Sequence, residues 1–247
     1  MSGHSKWSKV KRFKGAVDAK RGKIFSKLAR EITVVARQGG GDAHLNPRLR
    51  MVLLKCRSAN MPKDNIDRAI AKGTGDGGID TLEELTYEVY APGGVALLIE
   101  LTTDNRNRTA AEIRHLLTKY GGSMATAGAV TRLFHRKGQI IIPRDNANED
   151  QLMEIALEAG AEDFKAEPQG FEILTDPAHF EAVHRAIEDK GIAYDAAELT
   201  SLPTLMVPVS DPSVIDAVNK LIDMIDNHDD VQEVFTNAEF PDEVRGD

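Results

Sequence analysis

Charge is sorted by position in this 247-residue chain. Residues 1–75 carry 18 Lys and Arg against 5 Asp and Glu, a net of +13. Residues 76–145 carry 8 against 9, a net of −1, and residues 146–247 carry 5 against 25, a net of −20. The whole chain is acidic, at −8, so its positive charge is concentrated at one end. Gly3 to Arg30, "GHSKWSKVKRFKGAVDAKRGKIFSKLAR", holds ten Lys and Arg and a single acid, Asp18. Segregation on this scale points to a basic module for a polyanion and an acidic remainder kept off it.

The length suits two or three domains. A hydrophobic content of 41% is enough to build real cores. The one cysteine, Cys56, excludes an internal disulfide and a four-cysteine metal site. It fits a reducing cytosol. No apolar run approaches the ~18 residues that cross a bilayer, and no apolar signal core follows the basic N-terminus.

From Arg21 the pattern is helical, with Phe25, Leu28, Ile32 and Val35 on one stripe. Gly39-Gly40-Gly41 stops that helix. Asn46 before Pro47 predicts an N-cap and a first helical position. That second helix runs to about Asn60, with Leu49, Val52, Leu53 and Cys56 facing inward. Pro62 opens a third helix, carrying Ile66, Ala69 and Ile70, which Gly73 closes. Three helices with short loops make a small bundle. "GTGDGG", Gly73 to Gly78, matches G-x-G-x-x-G by letter. A dinucleotide loop needs a strand before it and a helix after it; here the order is reversed, so the stretch reads as a flexible linker.

Beyond the linker, "YEVYAPGGVALLIELTTD" predicts two strands around a Pro-Gly-Gly turn. Ala110, Ile113, Leu116, Leu117 and Tyr120 line a helix that ends at Gly121-Gly122. "AVTRLFHRKGQIIIP" predicts strands meeting near Lys137-Gly138. Helices near 149–159 and 177–190 flank a hairpin, "EDFKAEPQGFEILTD". "LMVPVS", a helix at 212–226 and "VQEVFTNAEF" complete the chain. The expected fold class is α+β in three domains. An N-terminal three-helix bundle takes residues 1–78. A discontinuous domain takes 79–134 and 203–240, and a third, 135–202, is inserted into it. Both of these are sandwich-like, with mostly antiparallel sheets.

Nothing local calls for catalysis: there is no G-x-S-x-G, no Walker lysine loop and no H-E-x-x-H. His179 and His184 are five apart and do not share a helix face as paired ligands would. Adjacent acids such as Glu83-Glu84 and Asp229-Asp230 read as solvated faces. Cys56 reads as a small core residue. No catalytic residue, metal or cofactor is expected.

The basic stretch does call for a ligand. Lys6, Lys9, Lys11, Arg12, Lys14, Lys20, Arg21, Lys23, Lys27 and Arg30 are too dense for local acids to neutralise. Polyphosphate neutralises such a field and releases condensed counterions. Trp7, among these lysines, is either a base-stacking aromatic or a plug that pins the N-terminus to the bundle. Gly15 and Gly22 allow close approach to phosphates or are simple loop residues. A second basic cluster, "TDNRNRTAAEIRH", puts Arg106 and Arg108 at a helix start. Helix amides together with Asn105, Asn107 and Thr109 could hold a phosphate there; the alternative is a capping loop whose arginines pair with nearby acids.

These residues also carry a resemblance. "GHSKW", "KRGKIF", "GGGD", "NPRLR", "NMPKDNI", "YAPGGVA" and "DNRNRT" resemble the YebC/PmpR family, whose mitochondrial relative is the translational activator of cytochrome c oxidase. The resemblance spans nearly the whole chain. It implies three domains around a cleft, the middle one discontinuous, and no enzymatic activity. Bacterial members are described as DNA-binding transcriptional regulators, and some members resemble translation factors that ease ribosome stalls. Within the motifs, Arg48, Arg50 and Lys63 complete the candidate nucleic-acid-binding set. The loop "ATAGAV", with Ala125, Ala127 and Ala129, departs from the family's G-T-x-G-S-V, so no family contact is carried over to it.

The chain starts at the family motif with no room for a transit peptide, so a bacterial cytoplasmic protein is expected, monomeric and without a membrane. The expected partner is nucleic acid: promoter DNA, or ribosomal RNA on the ribosome. No recognition helix or dimer surface for two half-sites stands out, and the acidic C-terminal half would repel a long duplex. These points favour RNA, whereas the family description favours DNA.

Overall fold

The helical period after Arg21 is realised as α1, Asp18–Gly39, in the computed structural model, which describes residues 18–75 and 82–241. Leu28, Ile32 and Val35 are buried, with Phe25 packed beside them. α2, Pro47–Ser58, begins with Asn46 as N-cap: its Oδ1 accepts from Leu49 N at 3.1 Å. α3, Lys63–Thr74, closes the bundle over Leu49, Val52, Cys56, Met61 and Ala69.

Asn46 does more than cap. Its buried amide donates to the carbonyls of Val35 at 2.9 Å and Gly40 at 2.8 Å. One side chain therefore ties the end of α1 to the start of α2. Gly73 lies inside α3 rather than after it. A Cβ there would fall 2.5 Å from the Thr33 carbonyl of α1, so this glycine permits a close helix crossing instead of ending a helix. Cys56 is fully buried. Burial, and then the Glu31 carboxylate, push its thiol up to about 12, which leaves it an inert core residue.

β1, Glu83–Tyr90, and β2, Ala96–Thr103, form an antiparallel hairpin in register from Glu83↔Thr103 to Tyr90↔Ala96. α4, Arg106–Tyr120, ends at Gly121, whose φ of +79° makes the left-handed cap. β3, Ser123–Met124, joins the edge of β1. β4, Phe134–Pro143, is one continuous strand where the sequence predicts two meeting near Lys137-Gly138. Gly138 is not a turn residue. A Cβ on it would fall 2.5 Å from the Phe180 ring, so it lets a helix lie close over the sheet.

α5, Glu149–Glu158, precedes the hairpin of β5, Asp163–Glu167, and β6, Gly170–Thr175. α6, Phe180–Asp189, is followed by β7, Ala196–Pro203, a strand that hydrophobic alternation does not single out. β8, Val207–Pro208, α7, Pro212–Asp226, β9, Val231–Thr236, and β10, Ala238–Glu239, complete the described chain. The class is α+β. The strand orders are β3-β1-β2-β9 and β5-β6-β4-β7, with β10-β8 as a short parallel pair.

By packing, the chain divides into two units. One holds the chain up to Thr74 with Arg136–Ser201; the other holds Gly75–His135 with the chain from Leu202. In the first unit, Ile140, Ile142, Phe171 and Ile173 of the sheet meet Leu152, Phe180, Val183 and Ile187 of α5 and α6. Met51 and Leu54 of α2 pack against that core. In the second unit, Leu97, Ile99 and Leu101 of β2 meet Ile113 and Leu117 of α4 and Val218, Leu221 and Ile225 of α7. No helix among the described residues is long and apolar enough to cross a membrane.

Asn46→Ala removes the cap and the amide bonds to the Val35 and Gly40 carbonyls, so it lowers urea-unfolding stability by about 2–4 kcal/mol. Asn46→Asp keeps the cap acceptor but faces the same carbonyls with a carboxylate. Recovery of wild-type stability by Asp would show that the cap alone matters.

Candidate nucleic-acid interface

The sequence candidates divide by location. Lys6, Trp7, Lys9, Lys11, Arg12 and Lys14 lie outside the described residues, as does Gly15. Lys20 falls in the first turn of α1. Arg21 is exposed, while Lys23, Lys27 and Arg30 are half-buried along the same helix. Arg48, the second residue of α2, is exposed and donates to Gln38 Oε1. Lys63, the first residue of α3, is exposed.

Most of the bundle's apolar residues close its own core, Met51 and Leu54 turn to the α5–α6 core, and exposed cations stand on other faces. Arg37 in the last turn of α1 and Lys72 in the last turn of α3 join this surface. Neither stands out in the sequence, because each lies away from the dense opening stretch. Their neighbours Ala36 and Gly73 make the α1–α3 crossing, with a Gly73 Cβ only 2.8 Å from Ala36.

Charge also opposes the helix dipole at two starts. Neither α2 nor α4 has an acid in its first turn, and both carry arginines there. By contrast, α5 opens with Glu149 and Asp150, and α6 with Glu181. A cation at an exposed helix N-terminus costs about 0.3–1 kcal/mol. An approaching phosphate removes that cost and finds free amides beside it.

Two of the candidates are held internally. Arg50 Nη1 donates to the carbonyls of Ala43 at 2.7 Å and His44 at 2.9 Å, and its Nη2 donates to Glu181 Oε2 at 2.9 Å. Arg108 Nη2 donates to Asp104 at 2.8 Å and to Asp230 Oδ2 at 2.9 Å. Bonds to those carboxylates hold its guanidinium above the usual arginine range. For Arg108 the structure matches the capping-loop alternative: Asn105 caps α4 and the arginine pairs with nearby acids. Arg106, at the first position of α4, is exposed.

Asp230 corrects the solvated-face expectation for Asp229-Asp230. Asp229 is exposed, but Asp230 is only 5% exposed. Its Oδ2 accepts from Thr109 at 2.6 Å and Thr103 at 3.1 Å as well as from Arg108. His228 stands beside it, with Nε2 2.9 Å from Glu112 Oε2. The ligand atoms of Glu112, His228 and Asp230 lie within 4.8 Å of one another. Their hydrogen bonds do not suit a metal. The Asp230 amide donates to His228 Nδ1 at 3.1 Å, so the neutral ring carries its proton on Nε2 and donates it to Glu112. A metal on Nε2 would take the only ring proton. The cluster is a closed network that joins the start of β9 to α4, beside a shallow groove lined by Ala111, Glu112, His115, Leu116 and His228.

The divergent loop 125–130 has its own anchor. Glu88 accepts from the amides of Gly128 and Val130 at 2.6 Å and Thr131 at 2.8 Å. Partial burial pushes the Glu88 carboxyl up, but these three amides outweigh it and hold it below the usual range. Gly128, at φ +82°, supplies the left-handed backbone that turns the amides inward.

A carboxyl with a depressed folded-state pKa stabilises above its unfolded value and loses that contribution as pH falls through the folded value. Glu88→Gln is therefore expected to lower stability at pH 7 and to flatten its decline below pH 4.5. Parallel acid-unfolding curves for the two proteins would reject the anchor.

Comparison with known proteins places these features in a family. Residues 5–76 match the TACO1/YebC protein N-terminal domain, and residues 82–238 match the TACO1/YebC second and third domain. A "Probable transcriptional regulatory protein" of Syntrophus aciditrophicus is 51% identical, over 99% of this chain and 98% of its own length. A protein of the same description from Leptospira biflexa is 48% identical over the full length of both. The crystal structure of a conserved hypothetical protein from Aquifex aeolicus superposes with a TM-score of 0.83 at 44% identity, over 94% of this chain and 96% of that one.

Proposed function

The chain belongs to the TACO1/YebC family, and from that premise we propose that it is a non-enzymatic regulator of gene expression that binds nucleic acid through its basic helical module. The favoured reading is a DNA-binding transcriptional regulator, since its relatives are described as probable transcriptional regulatory proteins. The observation that carries it is the set of exposed cations on α1–α3, Arg21, Arg37, Arg48, Lys63 and Lys72, outside a closed apolar core. Asp230 and His228 of the second unit are engaged with Thr103, Thr109, Arg108 and Glu112. Arg48, Lys63, Arg37, Lys72 and Arg106 meet phosphate, together with the basic residues before α1. Arg108 positions the start of α4 through Asp230.

A second reading has its own support. Residues 146–247 carry a net of −20, from 5 Lys and Arg against 25 Asp and Glu. Such a segment is repelled by a long duplex, but it is tolerated beside ribosomal protein and folded RNA. On this reading the module grips ribosomal RNA and the protein acts in translation.

Binding to a promoter duplex and to ribosomal subunits, measured at matched ionic strength, separates the two. If the module engages 6–10 phosphates, affinity falls by roughly 10³–10⁵ between 50 and 200 mM salt. Replacing Arg48, Lys63 and Lys72 together by Gln reduces the salt slope by about 3, about 1 per cation. Arg108→Ala lowers the melting temperature and leaves that slope in place. A folded triple variant with an unchanged slope would refute the placement of the interface on this bundle. Absence of binding to either target would refute the function.

A further inference from the structure

Two arginines of α2 are already bound to carboxylates, and the arrangement is regular. Arg50 pairs with Glu181 of α6 at 2.9 Å, and Arg57 pairs with Glu188 of α6 at 3.2 Å. Each rung joins positions 131 apart in the chain. The arginines are two helical turns apart, and so are the glutamates, so α2 and α6 run in the same sense with matched spacing. Leu54, on the same face as the arginines, and Met51 beside it pack on the α6 core between the rungs.

The ladder is built asymmetrically. Arg50 is 28% exposed and has two further carbonyl acceptors, so it is well held. Arg57 is 71% exposed and has one carboxylate partner. Glu188 is shared: its Oε1 also accepts from the Tyr194 hydroxyl at 3.1 Å. Beneath it lies His184, 4% exposed, with Nε2 unpartnered and 3.7 Å from the same Oε1. The His184 ring is fixed between Phe180, at 6.0 Å, and Tyr194, at 5.0 Å. The charged groups facing this pocket are Arg57, Glu181 and Glu188. If Arg57 leaves, Glu188 Oε1 still accepts from the Tyr194 hydroxyl, and His184 Nε2 lies 3.7 Å from it.

Resting on the nucleic-acid-binding function argued above, we propose that Glu181 and Glu188 are internal stand-ins for backbone phosphates. They occupy Arg50 and Arg57 in the free protein, and a nucleic acid takes these arginines by displacing α6 carboxylates. The contact between α2 and α6 is thus an autoinhibitory clasp. The exposed Arg57–Glu188 pair is weak and screened by salt, so it is the end of the contact that a polyanion opens first. A guanidinium forms two parallel bonds with phosphate as readily as with carboxylate, so the exchange keeps its geometry.

The test uses the full chain and a 24-base-pair duplex, with an RNA stem-loop as a second probe. In Glu181→Gln/Glu188→Gln the arginines are released in advance. Affinity is expected to rise roughly tenfold, as for two ion pairs that no longer have to be opened, with the salt slope near that of the wild type, because the same arginines meet phosphate in both complexes. Arg57→Gln should weaken binding more in the Glu188→Gln background than in the wild type, where the glutamate already competes for the arginine. Hydrogen exchange adds a readout that needs no variant: α6 amides of the wild type should exchange faster when the duplex is bound. If the wild type binds, the double variant binds no more tightly and the α6 amides of the wild type do not respond, the clasp is refuted while the function stands. If the wild type binds neither probe, the function fails first and the clasp fails with it. If the double variant is unfolded, the Arg57 pair and the exchange measurement still decide.

Discussion

A helical module with 18 Lys and Arg against 5 Asp and Glu in its sequence segment has to close a core against its own repulsion. The solution is geometric. Apolar side chains at three- and four-residue spacings on α1, α2 and α3 meet in one interior, and cations are left on the outer faces. The few carboxylates available are used where cations come near the interior. Glu31 of α1 holds Lys55 of α2 at 3.1 Å, and both are less than a quarter exposed. Glu181 and Glu188 come from a distant part of the chain to hold Arg50 and Arg57. Polar closure falls to Asn46, which satisfies one amide and two carbonyls at the α1–α2 junction without adding charge. A carboxylate would serve only one of those three roles.

The legible parts of the sequence were those with local causes. The α1 stripe, the Asn46-Pro47 helix start, the Pro-Gly-Gly hairpin and the Gly121 stop each follow from spacing or from a backbone preference. The illegible parts depend on partners far away in sequence. Gly73 and Gly138 look like breaks in a one-dimensional reading, yet both mark places where another element comes too close for a Cβ. Asp230 looks like half of a surface acid pair, but Thr103 and Thr109, more than 120 positions away, bury it. The functional set shows the same division. Density of charge pointed to the first thirty residues, and nothing local distinguished Arg108, which is held by Asp230, from Arg106, which is exposed.

Polar networks in the second unit, one of them around the buried Asp230, explain why its loops hold shape around short strands. Glu88 collects three amides of the 125–131 turn, and Asp230 collects two hydroxyls and a guanidinium. Each puts a carboxylate where several donors converge, an arrangement in which the charge is hydrogen-bonded on most sides. His228 extends the second network to Glu112 and so links β9 to α4. Residues that resemble a metal set by type bond one another in a closed hydrogen-bond network. The decisive detail is which atom carries the proton.

The acidic part of the first unit has a role of its own in this picture. Asp150, Glu154 and Glu158 are exposed and lie four residues apart along α5. Like charges at that spacing cost a helix about 0.2–0.5 kcal/mol per pair, so the stripe is not there for the stability of α5. Its field extends over about 8 Å at physiological ionic strength, which is enough to disfavour a phosphate chain along that helix. The exposed cations of α1–α3 and this stripe belong to one packed unit. A polyanion approaching the unit therefore meets attraction on some elements and repulsion on others. Such a field restricts orientation as well as raising affinity. α6 stands between the two regimes, because its glutamates are the acids that the basic helices already hold.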